Sequence, residues 1–326
     1  MPRPERYHRG MSEAPSEVSP PAPDHRRSVE ADATLARARK RRRLALMVPP
    51  AALLAILLIG EIVARISGVR AVSGFVAAGE RGWAPTPGRR EYDGVPATIT
   101  EFGTRGTAEK AGGVLVVGDE TVFGAGLNDQ ETIGAALAGE IKAHVVLAAC
   151  EGYGFQQKVL WIREAATRVE PTVVVAVYSF DDPRPFAATI FTSLRFRLQS
   201  FSALAATAFP GSRPATRAEL PGLYDPQEVP WRLFQQTMRE LGDWSKKTKT
   251  PVLLAIWPFS VKDDEGLLEY YQQVRGEAKM NGIDVKNVRE DLGAEIEALR
   301  GEGGKWNAEA MRRAARGIAE ALKEGQ

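Results

Sequence analysis

Three short stretches of this chain place carboxylates and a lysine where a polar site could form. Asp119 and Glu120 follow the aliphatic run Val114–Val117, Asp181 and Asp182 follow Thr172–Tyr178, and Glu302 and Lys305 precede an amphipathic C-terminal segment. Brought to one end of a sheet, Glu120, Asp181 and Asp182 could offer oxygen ligands to a divalent cation, or two of them could act as acid and base. Lys305 argues against the metal, because an ammonium beside the carboxylates competes with the cation. Asp119 and Asp182 also suit backbone hydrogen bonds that hold turns. The expected pocket residues are therefore Asp119, Glu120, Asp181, Asp182 and Lys305, with no metal and no cofactor.

Nucleophilic chemistry needs a nucleophile, a base and donors for the developing oxyanion. The chain has three histidines and a single cysteine. His8 and His25 lie in the N-terminal tail. His144 begins a strand whose far end carries the site, so at about 3.3 Å per residue it lies well over 10 Å from the turn. About 20 Å of extended chain separates Cys150 from His144, which rules out a Cys-His dyad. Cys150 reads as a small apolar residue at a strand end. A lone cysteine also excludes an intrachain disulfide or a multi-cysteine zinc site. Thr121 is one residue away from the turn position and points elsewhere. Ser179 is the remaining hydroxyl, with no histidine to activate it.

These residues need a scaffold, and the hydrophobic pattern supplies one. Strands are predicted over Val114–Val117, Val145–Ala148, Thr172–Tyr178, Val252–Ile256 and Ile283–Val288, each a buried β-branched or aliphatic run. Helices are predicted over Glu131–Ile141, Gln156–Arg168, Trp231–Lys246 and Glu265–Met280, with Asn281-Gly282 as a stop. A last helix begins after the N-cap Asn307 and sets Met311, Ala314, Ala315, Ile318 and Leu322 on one face. An insertion spans Pro183–Pro230 and has room for a helix over Leu194–Ala206. The alternation predicts an α/β fold with a doubly wound, parallel five-stranded sheet. No internal repeat is present.

The N-terminal region has a different character. Residues 1–36 are rich in Pro, Ser, Glu and Arg without apolar periodicity, and read as disordered. Arg37, Arg39, Lys40, Arg41, Arg42 and Arg43 then abut the uncharged stretch Leu44–Gly60. With Ile62, Val63, Ala64 and Ile66 it reaches about 20 apolar residues, enough for a bilayer core of about 30 Å. Pro49 and Pro50 would kink such a helix near its start. The predicted organisation is a basic tail over 1–43, an uncleaved transmembrane anchor over 44–66, a Gly-rich stalk over 67–112 and an α/β domain over 113–326. The positive-inside rule places the tail in the cytoplasm and the domain beyond the cytoplasmic membrane, in the periplasm. The first 43 residues hold 11 of the 43 Lys/Arg and 6 of the 41 Asp/Glu, so the remainder is slightly acidic and nucleic acid is excluded as a partner.

Block by block, the domain resembles the GDSL/SGNH hydrolase superfamily over about residues 97–323. Ile99-Thr100-Glu101-Phe102-Gly103-Thr104-Arg105-Gly106 resembles the lead-in of its membrane-anchored members. Gly118-Asp119-Glu120-Thr121-Val122-Phe123-Gly124 is similar to its first block, and Leu147-Ala148-Ala149-Cys150-Glu151-Gly152-Tyr153-Gly154 to its second. Tyr178-Ser179-Phe180-Asp181-Asp182 is similar to its third. Glu302-Gly303-Gly304-Lys305-Trp306-Asn307-Ala308-Glu309 is similar to its last. The resemblance implies a serine nucleophile where Glu120 stands, an oxyanion glycine at Ala149, an oxyanion asparagine at Asp181, an acid at Glu302 and a histidine at Lys305. It thus implies the hydrolase fold, with its flavodoxin-like strand order, without the hydrolase equipment, and an ion pair between Glu120 and Lys305 across the old site, because they replace the serine and histidine, which normally touch. The expected role is a degenerate, non-catalytic binding or assembly module, its partner an envelope polysaccharide or another envelope protein. An esterase or O-acyltransferase acting on envelope glycans is the alternative.

Overall fold

The computed structural model describes residues 25–67, 74–106, 109–186, 198, 202–208, 216–258, 264–301 and 304–325. The chain divides into two compact units, residues up to Ile59 and residues from Gly60 onward. The first includes most of helix α1 (His25–Ile66), whose last turns belong to the second unit and whose stretch Arg37–Ile66 is long and apolar enough to cross a membrane. None of its apolar window is buried by the protein, as suits a helix whose partner is lipid. Helix is continuous through Pro49 and Pro50. It also begins at His25, so the disorder expected over 25–36 is not what the structure shows. Ala31, Ala33, Leu35, Ala36 and Ala38 are strong helix formers that extend the turn pattern backwards.

In the second unit, strands β5 (Val114–Gly118), β6 (Val145–Ala149), β7 (Val173–Tyr178), β8 (Val252–Ile256) and β9 (Asp284–Asn287) form one parallel sheet in the order β6-β5-β7-β8-β9. This is the flavodoxin-like order that the resemblance implies. The period of two along the strands divides the core. Leu115, Val117, Val174 and Ala176 face one side, with α4 (Phe155–Val169), α7 (Val229–Thr248) and α8 (Leu268–Met280). Val114, Val116, Val175 and Val177 face the other, with α3 (Ile133–Ile141), the short α9 (Val288–Leu292) and α10 (Ala308–Glu324). Asn307 caps α10, its side chain accepting from the Ala310 amide at 3.0 Å.

The stalk reading of 67–112 is corrected. Strands β1 (Phe75–Ala78) and β2 (Gly82–Pro85) form one antiparallel pair, and β3 (Gly88–Tyr92) and β4 (Val95–Ile99) another. Tyr92, Ala97 and Ile99 are buried in one core cluster and Phe102 in the other. The hairpins therefore belong to the domain. Their strands are only four or five residues long and interrupted by glycine and proline, so the pattern was too short to register. The segment Pro183–Pro230 contains α5 (Ala203–Ala208) and α6 (Leu220–Tyr224), while most of the helix expected over Leu194–Ala206 lies outside the described residues. Glu61, in the last turns of α1, accepts from Ser202 Oγ at 2.8 Å, Ala203 N at 3.0 Å and Leu204 N at 2.9 Å, satisfying the start of α5.

Candidate functional site

A parallel sheet gathers its polar loops at the strand C-terminal ends, and here the switch point lies between β5 and β7. Gly118 ends β5 at a close approach: a Cβ there would lie 2.2 Å from Val122 Cγ2. Glycine is needed for space, not for a left-handed backbone. The four-residue helix α2 (Glu120–Phe123) follows, with Asp119 as its cap accepting from Thr121 N at 2.9 Å. Gly124 ends α2 in the left-handed region at φ 70°. The buried Arg105 side chain then pins the outgoing loop, donating to the carbonyls of Phe123, Gly124 and Leu127 and to Asp129 Oδ1.

Asp119 and Asp182 do not line a pocket; they are buried at 2% and 1% exposure. Both converge on Lys158, a fully buried lysine of α4. Its Nζ lies 2.9 Å from Asp119 Oδ2 and 2.7 and 2.9 Å from the two Asp182 oxygens, and donates to Val177 O at 2.9 Å. Ser179 donates its hydroxyl to Asp119 Oδ2 and its amide to Asp182 Oδ2. Asp119, Asp181 and Asp182 approach one another closely enough to suggest a metal cluster. The ammonium of Lys158 already takes the place a cation would need between Asp119 and Asp182, so the residues do not fit a metal. Burial works against the charge on Asp119, but Lys158, the Ser179 hydroxyl and the Thr121 amide together hold its carboxyl below the ordinary value. Lys158, despite burial, is held firmly charged by its two carboxylates. The Ser179 hydroxyl is engaged by Asp119, whose carboxyl, held below the ordinary value, is a weak base.

Glu120, Asp181 and Lys305 do share a cavity, of ≈ 410 Å³, walled by Trp257, Trp306 and Glu151 among others. The ion pair expected between Glu120 and Lys305 is absent. Lys305 Nζ is paired with Asp93 in the β3–β4 turn, and Glu120 Oε2 accepts from Gly152 N at 3.1 Å. Asp93 belongs to the hairpin taken for stalk, so its competition for Lys305 was invisible in the pattern. Burial, then Asp119 and Asp181, push the Glu120 carboxyl up to about 7. Burial and Asp119 likewise raise Asp181, and burial and Asp93 raise Glu151. Ala149 ends β6 opposite Gly118, wholly buried, and is not part of the cavity wall. Cys150 is fully buried, and burial pushes its thiol up. His144 sits at the opposite strand ends, its carbonyl accepting from Val114 N at 2.9 Å. Glu302 lies outside the described residues. A slightly larger hollow of ≈ 460 Å³ lies by the strand starts, lined by Thr172, Pro251 and Asp284; it is remote from these groups and at the end of a parallel sheet that seldom carries a site.

Lys158 and Asp93 lie outside every block quoted from sequence, and Arg105, Glu151 and Gly152 lie inside the blocks without an assigned role. A signal for Lys158 existed: it falls on the apolar stripe Phe155, Val159, Ile162 and Ala165, where a lysine needs a buried partner.

No family model and no curated protein matches the sequence. Among solved structures the chain is similar to TesA, at 17% identity over 65% of this chain and 98% of that one, with a TM-score of 0.45. It is similar to a GDSL-like lipase from Bacteroides thetaiotaomicron VPI-5482, at 14% identity over 66% and 89%, TM-score 0.38. It is also similar to a catalytic mutant of Axe2, an acetylxylan esterase from Geobacillus stearothermophilus, at 13% identity over 66% and 95%, TM-score 0.42. At such values the sheet order and the site geometry carry the case, not the neighbours.

Proposed function

We propose that this chain is a single-span membrane protein whose SGNH-hydrolase-like domain has lost acyl chemistry and serves as a binding or assembly module. The basic residues before the apolar stretch support a cytoplasmic N-terminus and a periplasmic domain, by the positive-inside rule. Envelope polysaccharide or another envelope protein is the partner class this placement favours.

One observation carries the loss of chemistry: Glu120 stands at the turn where a nucleophile would be, and its carboxylate occupies the Gly152 amide. A tetrahedral intermediate formed there would meet Glu120 and Asp181 where it needs donors. No histidine lines the cavity among the described residues, and its lysine is engaged by Asp93. The test is hydrolysis of p-nitrophenyl acetate by the full-length protein in detergent, with fluorophosphonate labelling alongside. No turnover above buffer and no labelling are expected. Turnover abolished by Glu120→Ala or Ser179→Ala would overturn the reading and restore an esterase or acyltransferase.

A further inference from the structure

The end of α1 is tied to the insertion of the domain. Glu61 accepts from Ser202 Oγ, Ala203 N and Leu204 N at the start of α5, and from Arg65 Nε at 2.7 Å within its own helix. Leu204 packs on Gly60, where a Cβ would lie 3.2 Å from Leu204 Cδ2. Ala203 is wholly buried, while Leu204 and Ala205 are half-buried. All of these residues belong to the second unit.

Helix length fixes the depth of this contact. The uncharged stretch Leu44–Gly60 gives about 25 Å of helix, short of a hydrocarbon core of about 30 Å. The turn from Glu61 to Ala64 completes the crossing. A carboxylate at that depth cannot rely on water, and four donors from the protein replace it. Ile62, Val63 and Ile66 are 51%, 55% and 81% exposed, so the apolar surface of the span continues past its charge. At this level α5 begins, and it carries no charged residue from Ala203 to Ala208. Such a surface suits the headgroup boundary better than open water.

We propose that α5 lies in the bilayer boundary on the side away from the basic tail, held there by Glu61, so that the insertion meets the lipid surface beside the span. This rests on reading α1 as a membrane span. The partner is lipid because the residue that anchors α5 directly follows the apolar stretch, and the exposed surface around it is continuous with that stretch. Glu61 thereby joins two tasks: it satisfies the start of α5, and it fixes how far α5 stands from the hydrocarbon.

The experiment places the full-length protein, carrying Cys150→Ala and checked for unchanged circular dichroism, in phosphatidylcholine vesicles. Leu57→Cys, Ala205→Cys or Met280→Cys carries an environment-sensitive nitrobenzoxadiazole dye. The vesicles are made with and without lipids bearing a nitroxide near the top of the acyl chain. Positions 57 and 205 are each expected to lose about half their emission to the nitroxide, since an interfacial helix sits about 5–10 Å into the boundary. Position 280, exposed on α8, is expected to lose none. Glu61→Ala is expected to remove most of the loss at position 205 and leave that at 57, whereas Glu61→Gln, which keeps a carbonyl acceptor, retains both. Quenching at 57 without quenching at 205 overturns the proposal and keeps the span. No quenching at 57 removes the span reading, and the proposal with it. Quenching at 205 that survives Glu61→Ala overturns the part given to Glu61. Self-quenching between copies at 205, with none by lipid, gives the face to a second copy and overturns the lipid assignment.

Discussion

Asp119 and Glu120 are neighbours in the chain and opposites in their surroundings. Asp119 turns inward to a buried lysine, a serine hydroxyl and a backbone amide, which together keep it charged. Glu120 turns to the cavity, accepting from the Gly152 amide, and burial, then Asp119 and Asp181, push its carboxyl up to about 7. A turn at a strand end can thus hold a finished ion network on one side and an unfinished one on the other. The finished network positions the turn, and the unfinished one leaves the Glu120 carboxyl facing the cavity.

The comparison breaks most sharply at Lys158. Lys158→Met leaves Asp119 and Asp182 buried without their cation, and is expected to destabilise the domain by about 3–5 kcal/mol. Chemical denaturation of the full-length protein in detergent measures it, and an unchanged midpoint would mean the network is not structural.

Glu120 should show the opposite behaviour with pH. Its carboxyl is raised from 4.5 in the unfolded chain to about 7 when folded, so the folded state holds the proton more tightly. That contribution is complete below pH 4.5 and is lost as pH rises through 7. Glu120→Gln, which keeps an acceptor for Gly152, is therefore expected to gain up to roughly 3 kcal/mol relative to the native chain between pH 4 and pH 8. Parallel stability–pH curves would dispose of this account.

Smaller effects sharpen the contrast. Lys305 and Asp93 are each about half exposed at 50% and 48%, so Lys305→Ala should cost no more than about 1 kcal/mol in stability. Cys150 should stay unlabelled by a thiol reagent in the folded protein and react after unfolding, since it is buried with its thiol pushed up. Labelling at native pH would show that the β6 end opens.

Much of the sheet was legible because Val114–Val117, Val145–Ala148 and Val252–Ile256 are short apolar runs between helical patterns, and burial on both faces leaves little else for them to be. The helix ends moved by one to three residues, as Phe155–Val169 against Gln156–Arg168 illustrates. Hairpins β1–β4 escaped notice, and with them Asp93 and the partner of Lys305. Residues that share a strand end could be grouped from the pattern, but which of them faced inward could not. Asp119 and Asp182 do hold turns through backbone amides, as their place in the chain suggests, but nothing in the pattern shows that a buried lysine joins them.

By itself the sequence determined the parallel α/β sheet and a helix able to cross a membrane. Periodicity and length encode which surfaces must leave water, and those constraints act over neighbouring residues. Only the tertiary structure decided that Lys158 belongs to Asp119 and Asp182, that Lys305 belongs to Asp93, and that Glu120 remains with one amide in a cavity. Charge pairing and desolvation depend on distances between residues far apart in the chain, and those distances exist only once the sheet has brought the loops together.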